Sequence, residues 1–169
     1  MPVSVIRHLA AFQMLLVALA LCVAATPAAA GAAPARPLAT ENAAVQTVLE
    51  GFIDSLNTAD VNNLARFLAT DATMFFPLAS LPLRLENKQQ ITAAFGALFE
   101  AMRKREAGPR YMNLTPEDTR VQFLGNVAVV TFHLKGEEMV SRRTLVLQKL
   151  SGTWLIVHLH ASNLALQKQ

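Results

Sequence analysis

The segment Thr153-Trp154-Leu155-Ile156-Val157-His158-Leu159-His160-Ala161-Ser162 holds the densest group of chemically capable side chains in the chain. Its composition and alternation read as a strand. On a regular strand Trp154, Ile156, His158 and His160 share one face, and Leu155, Val157, Leu159 and Ala161 share the other. Two histidines at i and i+2 stand roughly 6.5–7 Å apart. That spacing suits acid/base work with a ligand between them, or joint metal ligation. The same pair would also fit as hydrogen-bonded histidines in a polar patch of the core. A metal would need a third ligand. His133 is the only other histidine beyond residue 39, and nothing in the sequence fixes its side of a sheet. No metal and no cofactor is expected.

Arg142 and Arg143 are neighbours on another predicted strand, so they point to opposite faces. One of them faces the interior, where it could hold an anionic group; the alternative is a rim arginine in water. Arg142 is carried as the ligand-side candidate, with its side relative to Arg143 left open. Tyr111, the only tyrosine, opens a predicted strand and serves either as a packing residue or as a ligand contact. Carboxylates are absent from the predicted strand interiors 127–135, 140–150 and 153–162. Asp54 and Glu50 flank a helical apolar stripe and read as solvated. No catalytic residue is assigned. The sequence also holds no nucleotide-binding glycine loop, no Ser/His/Asp arrangement and no zinc-helix motif.

The elements that must position these residues follow from periodicity. Thr40 can cap a helix with Val45, Val48, Leu49, Phe52, Ile53 and Leu56 on one face. Asn57-Thr58-Ala59-Asp60 breaks it, and Asp60 caps a shorter helix with Val61, Leu64, Phe67 and Leu68 inward. Asp71 to Pro77 reads as a turn into a short strand stopped by proline, and 78–85 as an irregular loop or edge strand. Asn87 and Gln90 resemble a capping box before a third helix that ends at Arg103-Lys104-Arg105. Then the period changes to two. A strand from Tyr111 to Leu124, with a bulge at Pro116-Glu117-Asp118, is followed by strands 127–135, 140–150 and 153–162. Helices first and an antiparallel meander after them make an α+β domain with the helices on one face of the sheet.

The first 39 residues differ from the rest. Arg7 and His8 precede an uncharged apolar run from Leu9 to Ala25, followed by Thr26-Pro27-Ala28-Ala29-Ala30. This reads as a signal peptide over 1–30, cut after Ala30 or Ala25, with an Ala/Pro-rich linker over 31–39. An uncleaved anchor and a lipoprotein site at Cys22 are the weighed alternatives. The expectation is a secreted or periplasmic product with no stable membrane anchor after cleavage and no remaining thiol. The chain has 15 basic and 12 acidic residues, and residues 1–39 hold only Arg7 and Arg36 of these. The domain is therefore nearly neutral, without the clustered positive charge that nucleic acid requires.

Taken in order, five pieces of this sequence resemble the SnoaL-like branch of the nuclear-transport-factor-2-like superfamily. They are Leu56-Asn57-Thr58-Ala59-Asp60, Asp71-Ala72-Thr73, Asn113-Leu114-Thr115-Pro116-Glu117-Asp118, Gly125-Asn126-Val127-Ala128-Val129-Val130, and the ending Gly152 to Ser162. The resemblance covers 40–163, leaving 164–169 as a tail. It implies a cone-shaped half-barrel, a curved, mostly antiparallel sheet wrapped round a long helix, with a pocket at the open end. It further implies that the Trp154 face is concave. Trp154 and Ile156 would then form an apolar wall, with His158 and His160 near the mouth. Members include isomerases, cyclases, dehydratases and binders, so fold alone does not choose among them. The expected partner is a small apolar or amphipathic molecule. An enzyme of the isomerase, dehydratase or hydrolase type using the pocket histidines is the alternative. Apolar residues on both faces of the last strands predict a homodimer through the convex face.

Overall fold

A computed structural model describes residues 38–105, 107–136 and 138–166. The signal peptide, most of the linker and residues 167–169 lie outside the described residues.

Helix α1 (Leu38–Asn57) starts two residues before Thr40 and buries the whole expected stripe from Val45 to Leu56. It stops where Ala59 takes a positive φ of 54°. The Asp60 carboxylate then accepts the backbone N–H groups of Asn62 and Asn63, both at 3.0 Å, and starts α2 (Val61–Arg66). Leu68 does not extend α2. It opens β1 (Leu68–Phe75), because the Ile156 N–H donates to the Phe67 carbonyl at 2.8 Å and draws the chain into the sheet. Helical spacing alone cannot register that tertiary bond.

Helix α3 (Lys88–Arg103) is capped by Asn87, whose side chain accepts the Gln90 N–H at 2.9 Å. The reciprocal bond falls one residue earlier than in a capping box: the Gln90 side chain accepts from the Glu86 N–H at 2.8 Å. At the other end of α3, the Arg103 guanidinium donates to the Ala59 carbonyl and ties this helix to the α1–α2 turn.

Four strands follow: β2 (Pro116–Leu124), β3 (Val127–Lys135), β4 (Met139–Leu150) and β5 (Thr153–Ala165). They form the expected meander, and β1 adds parallel to β5, giving the order β1-β5-β4-β3-β2. The bulge in β2 lies between Glu117 and Arg120, with Asp118 at φ 48°. Tyr111 to Thr115 is not strand, contrary to expectation. Its backbone is held instead by Asn57, whose carbonyl accepts the N–H groups of Tyr111 and Met112. The final strand runs to Ala165, into the segment read as tail.

The helices pack on one face of this open, mostly antiparallel sheet. Phe132 and Val130 of β3, Leu145 and Leu147 of β4, and Ile156 and Leu159 of β5 join the α1 and α3 stripes in one core. Among the described residues, no helix is long and apolar enough to cross a membrane.

Candidate functional site

Pairing between β4 and β5 fixes which side chains share a face. Leu147 lies opposite Ile156, but Val146 lies opposite His158, so Val157 is an extra residue on β5. This bulge reverses the phase of the strand. Before it, Trp154 and Ile156 are buried against the helices; after it, Leu159 and Ala161 are. His158 and His160 therefore stand on the outer face, opposite Val146 and Thr144. The single-face reading of Trp154, Ile156, His158 and His160 fails at Val157.

The two histidines remain together. Both rings pack edge-on against Phe75 of β1, with centroids at 5.4 and 5.8 Å. His158 Nδ1 shares a 2.8 Å hydrogen bond with the Thr73 hydroxyl. Burial, then His160 and Arg84, holds the His158 imidazole below the ordinary histidine range, so it is neutral at pH 7. His133 also lies on the outer face, opposite Arg142 and 4.0 Å from an Asp118 oxygen. Among the described residues no group of three or more His, Cys, Asp or Glu could hold a metal ion.

The cavity lies on the helix side of the sheet, at the end away from Trp154. It has a volume of about 300 Å³. Phe52 and Leu56 of α1, Met74 of β1, Phe95 and Leu98 of α3, Leu145 of β4, and Leu159 and Ala161 of β5 form its walls. Met112 and Leu114 close another side, and the exposed residues Lys135, Gly136 and Met139 stand at the β3–β4 turn beside it. His160 borders the cavity, although its ring stacks outward on Phe75. No Asp or Glu among the described residues lines it.

Arg143 is the charged side chain that β4 turns toward this cavity. It lies opposite Ala161, two residues before Leu145, while Arg142 lies opposite Ser162 on the outer face. Arg142, carried as the candidate, thus gives way to its neighbour. The phase of Leu145 and Leu147 was the available signal, but both faces of β4 hold apolar residues, so the inner one was not evident. Trp154 is equally displaced from its expected role. Its indole N–H donates to Glu41 at 2.9 Å and its ring packs edge-on against Phe123. Glu41 also pairs with Lys149 at 2.7 Å. Trp154 and Ile156 do not line the cavity, and neither does Tyr111, whose hydroxyl end lies against Gly108.

Asn57, at the helix break, also holds one wall. Its side-chain N–H donates to the Leu114 carbonyl at 3.1 Å, and its side-chain oxygen accepts the Leu114 N–H at 2.7 Å. Leu114 and Met112 are thereby fixed against the cavity.

The model of the SnoaL-like domain family matches residues 45–167. The chain belongs to this family. Solved structures with the same fold include an NTF2-like protein of unknown function from Pseudomonas putida KT2440. It is 19% identical, with 75% of this chain and 87% of that one covered and a TM-score of 0.61. A proposed dehydratase of the NTF2-like family from Streptomyces avermitilis is 16% identical, over 76% and 99%, with a TM-score of 0.63. A proposed ketosteroid isomerase from Shewanella frigidimarina NCIMB 400 is 21% identical, over 70% and 94%, with a TM-score of 0.56. At these identities the likeness establishes the SnoaL-like fold and carries no activity across. No curated protein matches the chain.

Proposed function

We propose that this SnoaL-like domain is exported and holds one small, largely apolar molecule in its cone. The cavity carries the reading: aromatic and aliphatic side chains from two helices and four strands surround it, with few polar groups. Pockets of about 300–1,000 Å³ with this composition suit small-molecule binding. The binder is favoured over the histidine-based enzyme, because His158 and His160 turn their rings to the outer face and no acid among the described residues lines the cavity. Export rests on the charge pattern and A-x-A sites of residues 1–30. Exported protein should accordingly begin at Gly31 or Thr26.

Titration with Nile red, a neutral apolar dye, tests the pocket. The wild-type domain is expected to enhance its fluorescence saturably. Leu98→Trp, which places an indole in the cavity from α3, should weaken binding about tenfold or more while the thermal melt stays cooperative. No saturable binding by wild type, or unchanged binding by Leu98→Trp, overturns the reading.

We further propose that the outer sheet face joins two copies of the domain. Val129, Thr131, Thr144, Val146 and Leu155 lie there half-buried, with no helix of the described residues over them. An antiparallel sheet open to water would carry more charge on that face. Val146→Lys should convert a dimer to a monomer in light scattering at tens of micromolar. A wild-type monomer under those conditions would rule the interface out.

A further inference from the structure

We infer that the cavity selects a molecule bearing a single carboxylate, which Arg143 binds through its guanidinium. The inference rests on the pocket being a ligand site and adds the chemical class of its occupant.

Arg143 projects from β4 on the helix side, between the positions of Ser141 and Leu145, and is half-buried. Its surroundings offer little to a charge. Among the described residues its hydrogen bonding amounts to one long contact, from Nη1 to the Arg142 carbonyl at 3.3 Å, and no carboxylate pairs with it. Burial lowers its pKa from the ordinary arginine range, yet a guanidinium stays charged at any physiological pH. A half-buried cation facing an apolar cavity, with no counter-ion among the described residues, is electrostatically incomplete.

The neighbouring polar groups do not complete it. The Ser141 hydroxyl donates to the Asn163 side-chain oxygen at 2.6 Å. Lys135, at the exposed rim, adds a second positive charge. What is missing is one negative charge that can reach Arg143 while an apolar body fills the remaining space. A planar carboxylate matches a guanidinium through two parallel N–H···O bonds and balances one charge with one.

The probes are decanoate and 1-decanol, which share an alkyl body and differ in the head group, each measured by displacement of Nile red. Wild type is expected to bind decanoate about tenfold or more tightly than 1-decanol. Arg143→Met should lower decanoate affinity about tenfold and leave that of 1-decanol within about threefold, and Arg143→Lys should restore part of the preference. Equal affinity of wild type for the two compounds overturns the carboxylate assignment and leaves the apolar pocket standing. An acid preference that survives in Arg143→Met also overturns it, by moving the anion elsewhere. Binding of neither probe, with no Nile red binding to displace, overturns the pocket as well. The comparison of acid and alcohol on wild type decides the matter even if Arg143→Met does not fold.

Discussion

Asn57→Ala is expected to lower the unfolding free energy by about 2–4 kcal/mol. The side chain sits at the C-terminal end of α1 with 2% of its surface exposed. Both of its polar atoms are spent on the backbone of Leu114. Alanine would remove both partners at once and leave a peptide N–H and a carbonyl unmatched in a largely dry site, which costs more than the bonds themselves contribute. Asn57→Asp keeps an acceptor for the Leu114 N–H but turns a carboxylate oxygen toward the Leu114 carbonyl and buries a charge, so near neutral pH it should cost at least as much as alanine. Urea melts of the three proteins provide the measurement, and a loss below about 1 kcal/mol for Asn57→Ala would show that solvent reaches Leu114 after truncation. Because Met112 and Leu114 form part of the cavity wall, Nile red affinity should fall in the same order.

Phe99→Ala is expected to cost about 3–5 kcal/mol, a large share of the stability of a domain this size. Phe99 has no exposed surface. It begins a short aromatic series: its ring centroid is 5.6 Å from that of Phe95, which in turn lies 5.5 Å from Phe76. Phe95 and Phe76 border the cavity, whereas Phe99 does not. Truncation would thus open space directly behind the wall. The variant should melt well below wild type in calorimetry and accept a bulkier apolar probe than wild type does. A melting temperature within a few degrees of wild type would mean that α3 collapses into the gap.

Much of the fold was legible because two periods are written plainly into the chain. The α1 stripe, the Asp60 and Asn87 caps, and the turns at Gly125-Asn126 and Ser151-Gly152 are local features, decided by side chains within a few residues of one another. Structure and sequence expectation part where a distant partner decides. Leu68 joins the sheet through a bond between Phe67 and Ile156, and Tyr111 to Thr115 stays out of it because Asn57 occupies its backbone groups. The site was less legible than the fold for the same reason. Choosing between Arg142 and Arg143 required knowing the inner face of β4. Placing His158 and His160 required knowing that β4 opposes two residues of β5 with one.

The extra residue at Val157 also governs how positions in this chain correspond to those in other SnoaL-like domains. Removing it on paper leaves a strand that alternates without interruption and still sends Ile156 and Leu159 inward and His158 outward. A relative lacking the bulge would therefore align correctly only with a one-residue gap at Val157. Without that gap, every column after it is shifted by one, and an inward residue of the relative is matched to His158 or His160. At identities of 16–21% the surrounding letters give little to place the gap. Any role carried over to the end of β5 by sequence columns alone would then land on the wrong side of the sheet, and superposed coordinates are what keep inside and outside in correspondence.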